Sequence, residues 1–105
     1  MKIWVDDLRP APDGYLWLNT VNEVIETIKL TEYICKGFNQ PSTIEVIDLD
    51  HDAGDYAHDG GDYIKILDWM EATDRNYPIR IHTANPVGRQ NMMAIAEKNN
   101  WEVLK

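Results

Sequence analysis

The chain has 105 residues, 18 acidic against 10 basic side chains for a net charge of −8, and 44% hydrophobic residues. That length fits one domain over residues 1–105 with one modest core. The charge opposes non-specific binding to nucleic acid or to an anionic membrane, because both repel a negative surface. A phosphate compound remains within reach if a metal ion first neutralises the site that takes it. Cys35 is the single cysteine, which excludes an intramolecular disulfide and a thiolate zinc cage and fits a reducing cytoplasm. Charge appears at Asp6 and Asp7 after only three apolar residues, Ile3 to Val5. We read no signal peptide there, and no apolar run is long enough to span a membrane.

Lys2 to Asp6 reads as a first strand, short and apolar, ending in two carboxylates. Leu8-Arg9-Pro10-Ala11-Pro12-Asp13-Gly14 is a loop, since its prolines and glycine exclude a helix. Tyr15 to Leu18 is a second strand. Thr20-Val21-Asn22-Glu23 has the arrangement of a capping box, and Val21, Val24, Ile25 and Ile28 follow at helical spacing, which predicts a helix from Val21 to Tyr33. Lys36 to Thr43 is a connector. Ile44 to Leu49, rich in β-branched residues, is a third strand.

Asp50 to Gly60 is a long polar loop, followed by a second helix over Gly61 to Thr73 that buries Ile64, Leu67 and either Trp69 or Met70. Ile79 to His82 is a fourth strand, Val87 to Asn99 a third helix, and Trp101 to Leu104 a fifth strand. Strands separated by helices predict an α/β fold, a mostly parallel five-stranded sheet with right-handed crossovers. The span from Asp7 to Gly14 is short for a crossover between parallel strands, so the second strand is an irregular edge or even antiparallel.

The strands alternate. Ile3, Val5, Leu16, Leu18, Ile79 and Ile81 point one way, and Lys2, Trp4, Tyr15, Trp17, Arg80 and His82 the other. A sheet covered on both faces is apolar on both. This alternation, with few helices to cover it, predicts two layers with a reduced helix set and one sheet face partly open. Trp4, Tyr15 and Trp17 would form an aromatic patch on that face, a surface for a homodimer or a docking partner.

In an open parallel sheet, ligands sit beyond the carboxyl ends of the strands. Here those ends carry Asp6 and Asp7, then Asp50, His51 and Asp52, then His82, Thr83 and Asn85. Carboxylates at that density repel one another, and a bound divalent cation is the natural compensation. The plainer reading is a rim of solvated loop acids in an acidic protein.

Asp6-Asp7 after the first strand, an Asp closing the third, and Thr83-Ala84 after the fourth resemble the response-regulator receiver pattern, which has a flavodoxin-like fold. More specifically, Trp4-Val5-Asp6-Asp7-Leu8-Arg9-Pro10, Leu49-Asp50-His51-Asp52 and Ile81-His82-Thr83-Ala84-Asn85-Pro86-Val87-Gly88-Arg89 resemble the cyclic-phosphate-processing receiver domain. The receiver resemblance implies that Asp6, Asp7 and Asp50 bind a divalent metal, Mg²⁺ or Mn²⁺. It also implies that Asp50 is placed to accept a phosphoryl group, and that Thr83 contacts it. The narrower resemblance implies a metal-dependent phosphoesterase acting on a cyclic phosphate or cyclic nucleotide. The alternative is a non-catalytic module that captures a phosphorylated ligand or partner.

Departures from ordinary receivers sharpen this expectation. The proline-containing loop replaces the first receiver helix, the last helix is missing, and no fifth-strand lysine matches the one that contacts the phosphoryl group. His51 and His82 stand where receivers rarely carry histidine, the side chain best suited to move a proton near neutral pH. The expected roles are metal binding by Asp6, Asp7 and Asp50, and proton transfer by His51 or His82. Thr83, Asn85 and Arg89 would bind phosphate, the last beside the free amides of the third helix. Asp52 is a further metal ligand or only holds His51.

Asp48, Asp50 and Asp52 imitate the start of a calcium-binding helix-loop-helix. Ala53 stands where its glycine belongs, Asp59 takes the twelfth position, and a strand precedes the run, so that reading is rejected. His58-Asp59 reads as solvated turn chemistry or a lid over the site.

Overall fold

The computed structural model describes residues 1–105. Four strands, β1 (Lys2–Val5), β2 (Tyr15–Leu18), β3 (Val46–Leu49) and β4 (Ile79–Ile81), form one sheet in the order β2-β1-β3-β4. Every pairing is parallel. Three helices complete the chain: α1 (Val21–Gly37), α2 (Ile64–Ala72) and α3 (Pro86–Lys98).

All four residues of β3 are buried, as its place between β1 and β4 requires. Register sets Ile3 beside Ile47 and Ile47 beside Ile79, then Val5 beside Leu49 and Leu49 beside Ile81. These two apolar rows are the sheet's share of the core. Val24 and Ile28 of α1, Ile66, Leu67 and Met70 of α2, and Met92 and Ala96 of α3 join them in one buried cluster. The helices therefore cover one face, and Trp4, Trp17, Asp48 and Arg80 lie on the other, as the alternation predicts.

Several boundaries move for local reasons. Helix α1 carries its buried positions on through Thr31 and Cys35, so it runs to Gly37 instead of stopping at Tyr33. Its start is as expected, with Thr20 and Glu23 closing a capping box. Helix α2 begins at Ile64 and not Gly61, because Gly60 and Gly61 have φ of 107° and 92°, outside the helical region. That phase buries Ile66, Leu67 and Met70, while Ile64 and Trp69 only pack against the cluster's edge. Leu16 is 42% exposed and not in the core, since β2 is the sheet's outer strand.

The predicted fifth strand does not form. Trp101 to Leu104 makes one isolated parallel bridge, Ile79 to Val103, with Leu104 N–H donating to the Ile79 carbonyl at 2.7 Å. The next carbonyl on that edge, Ile81 O, accepts from Arg89 Nη2 at 2.9 Å. A side chain thus occupies the bonding position that a longer strand would need.

Strand β2 is a regular parallel edge despite its short connection. Asp6 Oδ1 accepts from the backbone N–H groups of Leu8 and Arg9, turning the chain at once. Trp4 Nε1 donates to the Arg9 carbonyl at 2.8 Å, which pins the loop onto the open face. Gly14, at φ 86°, then lets the chain re-enter the sheet. Trp17 remains 40% exposed on that face.

Candidate metal centre at the strand ends

Because Val5 and Leu49 are in register, the residues that follow them, Asp6 and Asp50, emerge side by side. Asp50 N–H donates to the Val5 carbonyl at 2.9 Å, and His82 N–H donates to the Leu49 carbonyl at 3.0 Å, so three strand ends are level. Carboxylate oxygens of Asp6, Asp7 and Asp50 lie within 4.8 Å of one another, a group that could hold a metal ion.

The electrostatics fit a cation there. Burial raises the Asp7 carboxyl above its ordinary 3.8, and the neighbouring charges of Asp6 and Asp50 raise it further. For Asp6, 1% exposed, burial pushes upward too. The backbone N–H groups of Arg9 and Leu8, with His82 and the Arg9 charge, outweigh it and hold that carboxyl below 3.8. Burial and then the charges of Asp7, Asp6 and Asp50 push the Tyr63 phenol upward, so it stays a donor, bonded to the Asn19 carbonyl at 2.6 Å.

A glycine lets the Asp7 carboxylate lie where it does. Gly54 has φ 56°, and a Cβ there would stand 2.4 Å from Asp7 Oδ2. The donors are hard oxygens, the set that Mg²⁺ or Mn²⁺ prefers. Donor chemistry and mutual repulsion suit such an ion.

The two histidines differ. His82 is clamped, with Nδ1 at 2.6 Å from Asp48 Oδ1, Nε2 at 2.9 Å from Asp6 Oδ2, and its ring stacked on Trp4 at 3.7 Å between centroids. His51 has Nδ1 at 2.8 Å from Asp52 Oδ1, while its Nε2 has no protein partner. Its ring rests on the first turn of α3, where a Cβ at Gly88 would stand 2.5 Å from His51 Cγ. Gly88 keeps that seat open.

Asp52 sits on His51, outside the three-acid group. Thr83 Oγ1 accepts from Asn85 N–H at 3.1 Å, and Asn85 Oδ1 caps α3 by accepting from Gly88 N–H. Asn85 Nδ2 reaches Asp52 only at 3.4–3.5 Å. The Arg89 guanidinium is not on this side: it lies along the free edge of β4, on Ile81 O. His58 stays on its own turn, at the Asp55 carbonyl, and Asp59 accepts from Asn22 Nδ2 in the first turn of α1.

Sequence reasoning overlooked two residues. Arg9 binds Asp6 Oδ2 through Nε at 3.0 Å, Asp50 Oδ2 through Nη2 at 3.2 Å, and the His82 carbonyl at 2.7 Å. Its place directly after the acidic pair was the available signal. Asp48, 2% exposed, holds His82 and approaches Arg80 Nη1 at 3.4 Å. An acid in the middle of an apolar central strand signals a buried partner, here Arg80 and His82.

Among known families, the model of the cyclic-phosphate processing receiver domain matches residues 1–98. No curated protein and no solved structure matches the chain.

Proposed function

The chain belongs to the cyclic-phosphate processing receiver domain family, and from that premise we propose that it is a metal-dependent phosphoesterase acting on a cyclic phosphate or cyclic nucleotide. The observation that carries this reading is the meeting of Asp6, Asp7 and Asp50 within 4.8 Å, with His51, whose backbone N–H donates to Asp50, offering an unengaged Nε2. When bound, a divalent cation polarises the phosphoryl group and lowers the pKa of the water beside it.

Asp6, Asp7 and Asp50 hold that cation. Asp52 fixes the His51 ring by its bond to Nδ1, leaving Nε2 to take a proton from the attacking water and return it to the leaving oxygen as the ring opens. The Thr83 hydroxyl and Asn85 Nδ2 donate to phosphate oxygens. His82 acts through others: it ties Asp6 to Asp48 and so orients a metal-binding carboxylate.

Turnover tests the reading. Cyclic nucleotides of both ring sizes, with linear monophosphates as comparison, are incubated with the protein in Mg²⁺, Mn²⁺ or EDTA. Release of a ring-opened product in metal and not in EDTA is expected. Stoichiometric binding with no product would favour the non-catalytic binding module instead.

The metal has its own check. Mg²⁺ or Mn²⁺ is expected to raise the melting temperature, since a ligand binding only the folded state adds about 2.7 kcal/mol at a hundred times its Kd. Asp50→Asn is expected to blunt that response far more than Asp13→Asn, a change in the exposed loop before Gly14. Equal responses in the two variants would reduce the acids to a solvated rim.

A further inference from the structure

A cleft of about 490 Å³ runs along the free edge of β4 between α3 and the C-terminal segment. Its size is that of a small-molecule site. Arg89 and Lys105 supply its charge, Met93, Val103 and Leu104 its apolar wall, and no acidic side chain lines it; Arg80 also borders it, with its guanidinium turned to Asp48 and Tyr15. In a chain of net charge −8, that composition is a local inversion.

The cations there are also under-engaged. Of the 10 Lys and Arg residues, Arg9, Lys29, Lys65, Arg75, Arg80 and Lys98 form ion pairs. That leaves Lys2, Lys36, Arg89 and Lys105 unpaired, and two of these four line the cleft. Arg89 spends one donor on the Ile81 carbonyl and has no carboxylate partner. Arg80 makes only long contacts from Nη1, 3.3 Å to the Tyr15 hydroxyl and 3.4 Å to Asp48, and its Nε is buried with no partner. The two cations without a carboxylate, Arg89 and Lys105, face an apolar wall with no acid in the lining, a combination that suits an anionic ligand with an apolar body.

We propose that this cleft binds a phosphorylated ligand with a flat apolar body, of the nucleoside monophosphate class, and does so without a divalent cation. Arginine's planar fork matches phosphate oxygens, and Met93, Val103 and Leu104 offer the apolar wall a base would pack against. A bare anion would leave that wall unused, and an apolar ligand would leave the cations unneutralised. The site is separate from the acidic one: Arg9 holds the His82 carbonyl and Arg89 the Ile81 carbonyl, consecutive groups on the two sides of the β4 end.

The test uses AMP as the probe, titrated into the full chain in EDTA so that the acidic site cannot recruit phosphate through a metal. Saturable binding is expected, with amide shifts concentrated at Met93, Val103 and Leu104 and not at Asp6 or Asp50. Adenosine alone and inorganic phosphate alone are each expected to bind on the order of tenfold more weakly. Arg89→Gln is expected to weaken AMP about tenfold, the scale of a lost charged hydrogen bond. Lys105→Gln, an exposed position, should weaken it several-fold and serves if Arg89→Gln does not fold. No saturation in EDTA, or unchanged affinity in a folded Arg89→Gln and in Lys105→Gln, overturns the proposal. So do shifts confined to the strand-end acids.

Discussion

Replacing His51 with Gln is expected to lower turnover by about 10²- to 10⁴-fold, the usual share of a general acid-base group, while the melting-temperature response to Mg²⁺ or Mn²⁺ stays near that of the parent. The expectation rests on how the ring is held. Its Nδ1 is committed to Asp52, its face lies over Gly88, and its Nε2 is left without a partner. On the proposed function, that free Nε2 is what would carry the proton. Gln fills much of the same volume but cannot cycle a proton, so the chemistry suffers and the carboxylates do not.

His82→Gln is the contrasting variant. Both nitrogens of His82 meet carboxylates and its ring stacks on Trp4, so this change is expected to weaken the metal response along with the rate. The pair of measurements separates the roles, because a positioning residue shifts metal affinity and a proton carrier does not. If His51→Gln retains the parent rate, metal-activated water carries the reaction unaided and the role given to His51 is wrong.

The difference between the histidines was invisible in the sequence, and the reason is physical. Periodicity and strand-end composition locate a residue along an element and on a face, so Asp6, Asp7, Asp50, His51, His82 and Thr83 could all be assigned to one edge. Which acid each ring meets depends on register between strands far apart in the chain: Asp48 pairs with Arg80 across β3 and β4 and with Trp4 across β1 and β3. Local pattern carries no such information. Arg89 shows the same limit. Its position three residues past the start of α3 suggested an anion at the helix end, but the strand edge beside it needed a donor first.

What was legible follows from short-range rules. The capping box at Thr20 and Glu23, the alternation of β1 and β4, and the open face all survive in the structure. The fifth strand did not, because its propensity could not reveal that Arg89 would take the Ile81 carbonyl. The parallel pairing of β2 was equally hidden. A loop of this length closes a parallel crossover only because Asp6 turns it at once and Trp4 holds it down.

Asp48 is where the largest loss of stability is expected. Its carboxylate is 2% exposed and meets His82 Nδ1 at 2.6 Å and Arg80 Nη1 at 3.4 Å. Truncation in Asp48→Ala removes the acceptor opposite His82 Nδ1 and the carboxylate that pairs with Arg80, while His82 keeps Asp6 at Nε2. Breaking a buried pair by removing one member costs about 3–5 kcal/mol. The Arg80 side chain is 35% exposed and recovers some hydration, which puts the expected loss at the lower end, about 3 kcal/mol. Domains of this size have about 5–15 kcal/mol in all, so urea unfolding should show a large fall in midpoint. Asp48→Asn keeps one acceptor for His82 and should lose less. Asp55→Ala, at an exposed site, should stay within about 0.5 kcal/mol of the parent. The effect reaches the candidate metal centre as well, because Asp48 steadies His82 and His82 steadies Asp6. Asp48→Ala is therefore expected to blunt the metal response although it touches none of the three acids that meet there. A variant as stable and as metal-responsive as Asp55→Ala would mean that Asp48, His82 and Asp6 do not act as one linked support for the strand ends.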